Sequence, residues 1–123
     1  MEVKQSNDFI GTNKEKGYSA EDTAADYLVK KGYEIIKRNF TFGKTGEIDI
    51  IAKHKNTLVF IEVKARANDK YGNPLDSITP GKQRKIRKTA EGYLYVNKIY
   101  DVECRFDVVS IDYIQKHGGN MRR

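Results

Sequence analysis

Residues 46–66, GEIDIIAKHKNTLVFIEVKAR, constrain the fold more than any other part of the chain. Two apolar runs, at 48–52 and 58–63, flank the polar turn His54-Lys55-Asn56-Thr57. Such runs around a short polar turn predict a β-hairpin. With Lys53 facing Leu58, Asp49 falls opposite Glu62 and Glu47 opposite Lys64. One face then carries Ile48, Ile50, Ala52, Val59, Ile61 and Val63, all apolar. The other carries Glu47, Asp49, Glu62 and Lys64 at one end, and Ile51, Phe60 and Leu58 at the other.

Acids are costly in that position. Asp is depleted in strands, and like charges facing each other destabilise a pair. Two carboxylates so close repel unless a proton or a cation lies between them. A divalent ion fits, since magnesium prefers oxygen ligands. A hard ion between Asp49 and Glu62, with the Lys64 ammonium beside it, suits phosphate chemistry. The ion polarises a phosphoryl group and acidifies a bound water, and the lysine orients that water or offsets developing charge. A solvated face with a Glu47–Lys64 ion pair explains the same residues more plainly, and a bulge would break the register.

The rest of the chain supplies the frame. Ser19 is a good N-cap with Glu21 and Asp22 behind it, and Gly32 ends the predicted helix. Its apolar stripe is Ala20, Ala24, Tyr27 and Leu28, with Ala25 beside it. Residues 33–42 predict a strand, and the hairpin follows. Residues 65–81, with their Gly and Pro punctuation, predict a long loop. A second helix is expected from about Thr79 or Pro80 to Asn97, with Ile86, Ala90, Tyr93 and Leu94 inward. Residues 104–111, CRFDVVSI, predict the last strand. The order α-β-β-β-α-β makes an α/β fold, a mixed sheet flanked by helices, because a hairpin-rich sheet precedes a helix that crosses to a parallel strand. Residues 1–17 have no period and are expected to be a flexible arm, residues 18–114 the domain, and residues 115–123 a basic tail. Glu21 borders the inner stripe of the first helix, and Gln83 lies on the inner face of the second. A polar side chain there is a boundary residue or one that meets a partner. With the hairpin acids, the two make four polar groups that could converge.

The 123 residues suit one domain, and the net charge of +6 favours an anionic partner, nucleic acid first. Lys82, Arg84, Lys85, Arg87 and Lys88 crowd the start of the second helix, where the dipole disfavours cations. Arg66 and Lys70 precede them, and Tyr71 could stack on a base. A solvated helix face is the plain alternative. Phosphate contacts from such residues carry no base specificity. The single cysteine, Cys104, excludes an intrachain disulfide and a Cys-rich zinc site, and is expected in the core. No apolar run is long enough for a membrane span or a signal peptide, so a cytoplasmic protein is expected. Two histidines are too few for a histidine-based metal site, and no Walker loop or GxGxxG occurs.

Asp49, twelve residues, then Glu62-Val63-Lys64 matches the D-x(n)-E-x-K core of the PD-(D/E)XK nuclease superfamily. GYSAEDTAADYLVKKGYEIIKRNF, GEIDIIA, VFIEVKAR, KQRKIRKTAEGYL and RFDVV follow in order over residues 17–111. Together they resemble the bacterial YraN family of small proteins, which is related to archaeal Holliday junction resolvases. The resemblance implies a restriction-endonuclease-like core and a Mg2+- or Mn2+-dependent endonuclease acting on DNA, including branched DNA. It implies that Asp49 and Glu62 are metal ligands, that Glu21 assists from the first helix, that Lys64 is the catalytic lysine, and that Gln83 is the polar residue some members carry on the second helix. The superfamily's proline is replaced by Ile48. Glu47 belongs to the GEID signature without an assigned role. A nucleic-acid-binding module with an inactive nuclease fold is the alternative. The oligomeric state is open, with a homodimer as one expectation.

Overall fold

The computed structural model describes residues 2–12, 18–66 and 78–114, with side chains over 18–66 and 78–112. The elements are β1 (Glu2–Thr12), α1 (Ala20–Lys30), β2 (Glu34–Thr41), β3 (Glu47–His54), β4 (Thr57–Arg66), α2 (Pro80–Val96) and β5 (Glu103–Ile114). One mixed sheet runs in the order β1-β5-β4-β3-β2. Strands β2, β3 and β4 are antiparallel, while β4, β5 and β1 are parallel. The α-β-β-β-α-β order expected from the sequence is present. None of the helices is long and apolar enough to cross a membrane.

Helix α1 starts where its cap demands. The Ser19 hydroxyl accepts from the Asp22 amide at 3.0 Å, and the Asp22 carboxylate accepts from the Ser19 amide at 3.1 Å. This reciprocal box satisfies two otherwise orphaned donors. Helix α2 starts with Thr79 accepting from the Lys82 amide at 3.1 Å and with Pro80 in the first turn.

The helices cover opposite faces of the sheet. Ala24 and Leu28 of α1 pack on Ile50, Ala52, Val59, Ile61, Val109 and Ile111. Ile86, Ala90 and Tyr93 of α2 pack on Ile48, Ile51, Leu58, Phe60, Phe106 and Val108. Strand β4 is buried on both faces, which is why its sequence is an almost unbroken apolar run. Phe60 is fully buried and meets the Tyr93 ring edge-on, with centroids 6.1 Å apart. Truncating such a side chain costs ~3–5 kcal/mol.

Three expectations need correction. Residues 2–12 lie within the segment read as a flexible arm, yet they form β1, parallel to β5. A strand edge offers backbone donors and acceptors that any non-proline segment can satisfy, so this pairing needs no apolar period. Second, Ile48 does not share a face with Ile50. It packs under α2, whereas Ile50 packs under α1. The β3–β4 ladder runs from His54–Thr57 to Ile50–Ile61, in the expected register, and stops before the expected Glu47–Lys64 and Asp49–Glu62 pairs. In β2, Asn39 takes a φ of 57° between Arg38, paired with Ile50, and Phe40, paired with Ile48. The ribbon turns over at Asn39 and Asp49. Third, Cys104 is only half-buried, at the margin of the α2-side core. The expected basic tail at 115–123 and residues 67–77 of the expected loop lie outside the described residues.

Candidate functional site

The site forms where the hairpin comes apart. Beyond Ile50–Ile61, the Asp49 carboxylate takes the place of a ladder carbonyl and accepts from the Val63 amide at 2.8 Å. Gly46 brings the start of β3 close to α2; a Cβ there would lie 3.3 Å from Thr89 Oγ1. That approach lets Gly46, Glu47, Asp49, Glu62, Lys82, Lys85 and Ile86 line one cleft of about 190 Å³. Asp49 and Glu62, expected as a pair from the hairpin, therefore meet there through a different geometry.

Lys82 and Lys64 converge on one oxygen. Lys82 Nζ is 3.2 Å, and Lys64 Nζ 3.9 Å, from Glu62 Oε2. Burial and the adjacent Lys82 ammonium together hold the Lys64 pKa below its usual value. Asp49 is pushed up to about 6, first by burial and then by the Glu62, Glu21 and Glu47 carboxylates, against the Val63 hydrogen bond that lowers it. A desolvated carboxylate facing three others is where a cation is drawn in.

Glu21 reaches this end of the sheet from α1. Arg38 holds it at 3.3 Å and Asp22 at 2.8 Å. With its amide nitrogen turned to the acids, Asn39 donates to Glu21 Oε2 and Glu47 Oε2, each at 3.1 Å. Glu47 thus faces Glu21 through Asn39, and its expected cross-strand pairing with Lys64 is absent from the ladder.

The remaining candidates are dispersed. The Gln83 amide donates to the Ile78 carbonyl at 3.2 Å and does not line the cleft. Lys82, one residue earlier, enters the cleft alongside Lys85 and Ile86. Lys85 lines the cleft, while Arg84, Arg87 and Lys88 are exposed on α2. Arg66 engages Asp112 of β5 through Nε at 2.9 Å and a second nitrogen at 3.2 Å. Lys70 and Tyr71 lie outside the described residues. Sequence reasoning placed Lys82 only in the basic cluster and missed Asn39 and Arg38. The Thr79-Pro80 start fixes Lys82 on the first turn, and that signal was available. The left-handed conformation of Asn39 was not.

Among the described residues, no three His, Cys, Asp or Glu side chains are arranged as a finished metal cage. The donors nevertheless fit magnesium or manganese in kind. Magnesium keeps several waters and is commonly held by one or two carboxylates. Asp49 and Glu62 supply two hard oxygen donors on one cleft, and an ammonium already lies against one of them.

Comparison with known proteins gives one consistent result. The model of the uncharacterised protein family UPF0102 matches residues 20–111. A UPF0102 protein of Clostridium perfringens strain 13 is 44% identical over 101 residues, covering 82% of each chain. Another, of Prosthecochloris aestuarii, is 47% identical over 95 residues, covering 77% of this chain and 74% of its own. One of Clostridioides difficile strain 630 is 41% identical over 104 residues, covering 85% and 90%.

Proposed function

The chain belongs to the uncharacterised protein family UPF0102, and from that premise we propose that it is a metal-dependent endonuclease hydrolysing DNA phosphodiesters. The observation that carries this reading is the cleft in which Asp49 and Glu62 meet beside the Lys64 and Lys82 ammonium groups. In this reading Asp49 and Glu62 hold a magnesium or manganese ion, and Glu21 assists from α1, positioned by Arg38 and Asn39. A bound ion of that kind supplies Lewis acidity and a more acidic water.

The chain's own groups do the rest. Lys64 orients the attacking water and offsets charge developing on the phosphate. The Val63 amide fixes the Asp49 carboxylate so that it need not reorganise as the phosphate reacts. Lys85, Arg84, Arg87 and Lys88 hold the DNA backbone along α2. Such contacts position the nucleic acid without reading bases. A substrate chosen by shape, branched DNA included, agrees with that surface.

A second reading is a nucleic-acid-binding module in which Lys82 permanently neutralises Glu62, as their 3.2 Å separation allows. Calorimetric manganese titration and single-turnover cleavage of linear, flap and four-way DNA separate the two. Wild-type protein is expected to bind manganese and cut. Asp49→Ala is expected to lose both. Lys64→Ala is expected to keep metal and DNA binding but lose ~100-fold or more in cleavage rate. Wild-type protein that binds no divalent ion and cuts nothing overturns the endonuclease and leaves the binding module.

A further inference from the structure

Lys82 lies in the wrong electrostatic place for a resting lysine. It is on the first turn of α2, close to the positive end of the helix dipole, which disfavours a cation. Its backbone is fixed, because the Lys82 amide donates to the Thr79 cap at 3.1 Å. Its side chain is not enclosed: it is 41% exposed. What draws the ammonium inward is Glu62, 3.2 Å away. Lys64 crowds the same Glu62 oxygen at 3.9 Å, so two cations share one carboxylate. One of the two is displaceable, and the more exposed Lys82 is the candidate: the Lys64 side chain is 27% exposed and belongs to a sheet strand.

We propose that Lys82 is an internal counter-ion that occupies the cation's place in the metal-free cleft and moves outward to a DNA phosphate when a divalent ion takes Glu62 and Asp49. This rests on the endonuclease reading and adds how its cleft is regulated. In the metal-free protein, Lys82 offsets the mutual repulsion of Glu62 and Asp49. A divalent ion between those carboxylates repels the ammonium at short range and takes over its neutralising role. The freed lysine stem can then turn outward to the solvent side of α2, where Lys85 and Arg84 are already exposed. Metal binding and DNA binding are therefore positively coupled, and coupling of this kind is reciprocal.

The test uses Lys82→Met, which keeps the stem and removes the charge, and Lys82→Arg, which keeps the charge. Manganese is titrated calorimetrically into the full-length free protein. Binding of a hydrolysis-resistant phosphorothioate duplex is followed by anisotropy with and without manganese, across a salt series. Lys82→Met is expected to bind manganese roughly tenfold more tightly than wild type, the scale of one screened charge a few ångströms away. Lys82→Arg is expected to stay near wild type. Without manganese, the Met variant and wild type are expected to bind DNA alike. With manganese, the Met variant is expected to bind more weakly, with a salt slope smaller by ~0.9, the increment for a single phosphate. Manganese affinity that is equal in wild type and Lys82→Met overturns the counter-ion role alone. Absence of manganese binding in both overturns the endonuclease reading as well. Binding by Lys82→Met where wild type binds none would make Lys82 a permanent neutraliser of Glu62, overturning its displacement by metal and favouring the binding module.

Discussion

Asp49 shows how much one side chain carries here. Its carboxyl has a pKa of about 6 in the fold, against 3.8 for the free group, chiefly because it is desolvated beside other acids. A raised pKa means the folded protein binds that proton more tightly than the unfolded chain does. The resulting stabilisation is complete below about pH 4 and is lost as pH rises through about 6. Asp49→Asn keeps a carbonyl for the Val63 amide but cannot ionise. In metal-free buffer it is expected to be more stable than wild type near pH 8, by on the order of 1–2 kcal/mol after allowing for the solvent that still reaches the site. The advantage is expected to vanish by about pH 4. Urea unfolding across that range measures it, and a pH-independent difference would contradict the origin assigned to the shift. In the endonuclease reading, the same desolvation that costs stability at high pH strengthens the carboxylate's hold on the ion.

Helix α2 joins two jobs on one element. Its inner face, Ile86, Ala90 and Tyr93, is core, and Gly92 lets the helix approach the end of β2, where a Cβ would fall 2.3 Å from the Phe42 ring. Gly92→Ala is therefore expected to destabilise the protein by ~1–3 kcal/mol, the range for overpacking, measured by thermal or urea unfolding. Its first turns carry the cations. Reversing Lys85 and Arg87 to Glu is expected to leave the fold intact, because both are exposed. DNA binding is expected to weaken, and its salt slope to flatten by roughly 0.9 for each phosphate no longer neutralised. An unchanged slope would place the nucleic acid on another surface. The helix was legible in the sequence because its apolar period and its Thr79-Pro80 start agree. The direction of the Lys82 side chain was not, because it depends on Glu62, a carboxylate on a different element.

Across the whole molecule, the sheet is built so that β4 is central and β5 would be an edge without β1. Strand β1 lies outside residues 20–111, the segment shared with the family. Removing residues 1–12 is expected to leave a folded core with an unpaired β5 edge, and such edges invite pairing between chains. Circular dichroism should keep its helical signal while light scattering rises with concentration. A truncated protein that stays monodisperse would show that β1 does not guard that edge. Everything legible in the residue order was local and periodic. It specified the hairpin and its register from His54–Thr57 to Ile50–Ile61, both helices with the Ser19 cap of the first, the last strand, and the nearness of Asp49 to Glu62. These follow from side-chain alternation, helix periodicity and capping, which act over a few residues. Long-range packing settled the turnover of the ribbon at Asn39, the passage of Ile48 to the α2 side, the bridge from Glu21 to Glu47, and the choice of Lys82 over Gln83 in the cleft. It also settled the pairing of β1 with β5. Each of these depends on a meeting of distant segments: a backbone edge seeking a partner, or a charge seeking its opposite. Such meetings leave no period in the sequence to read.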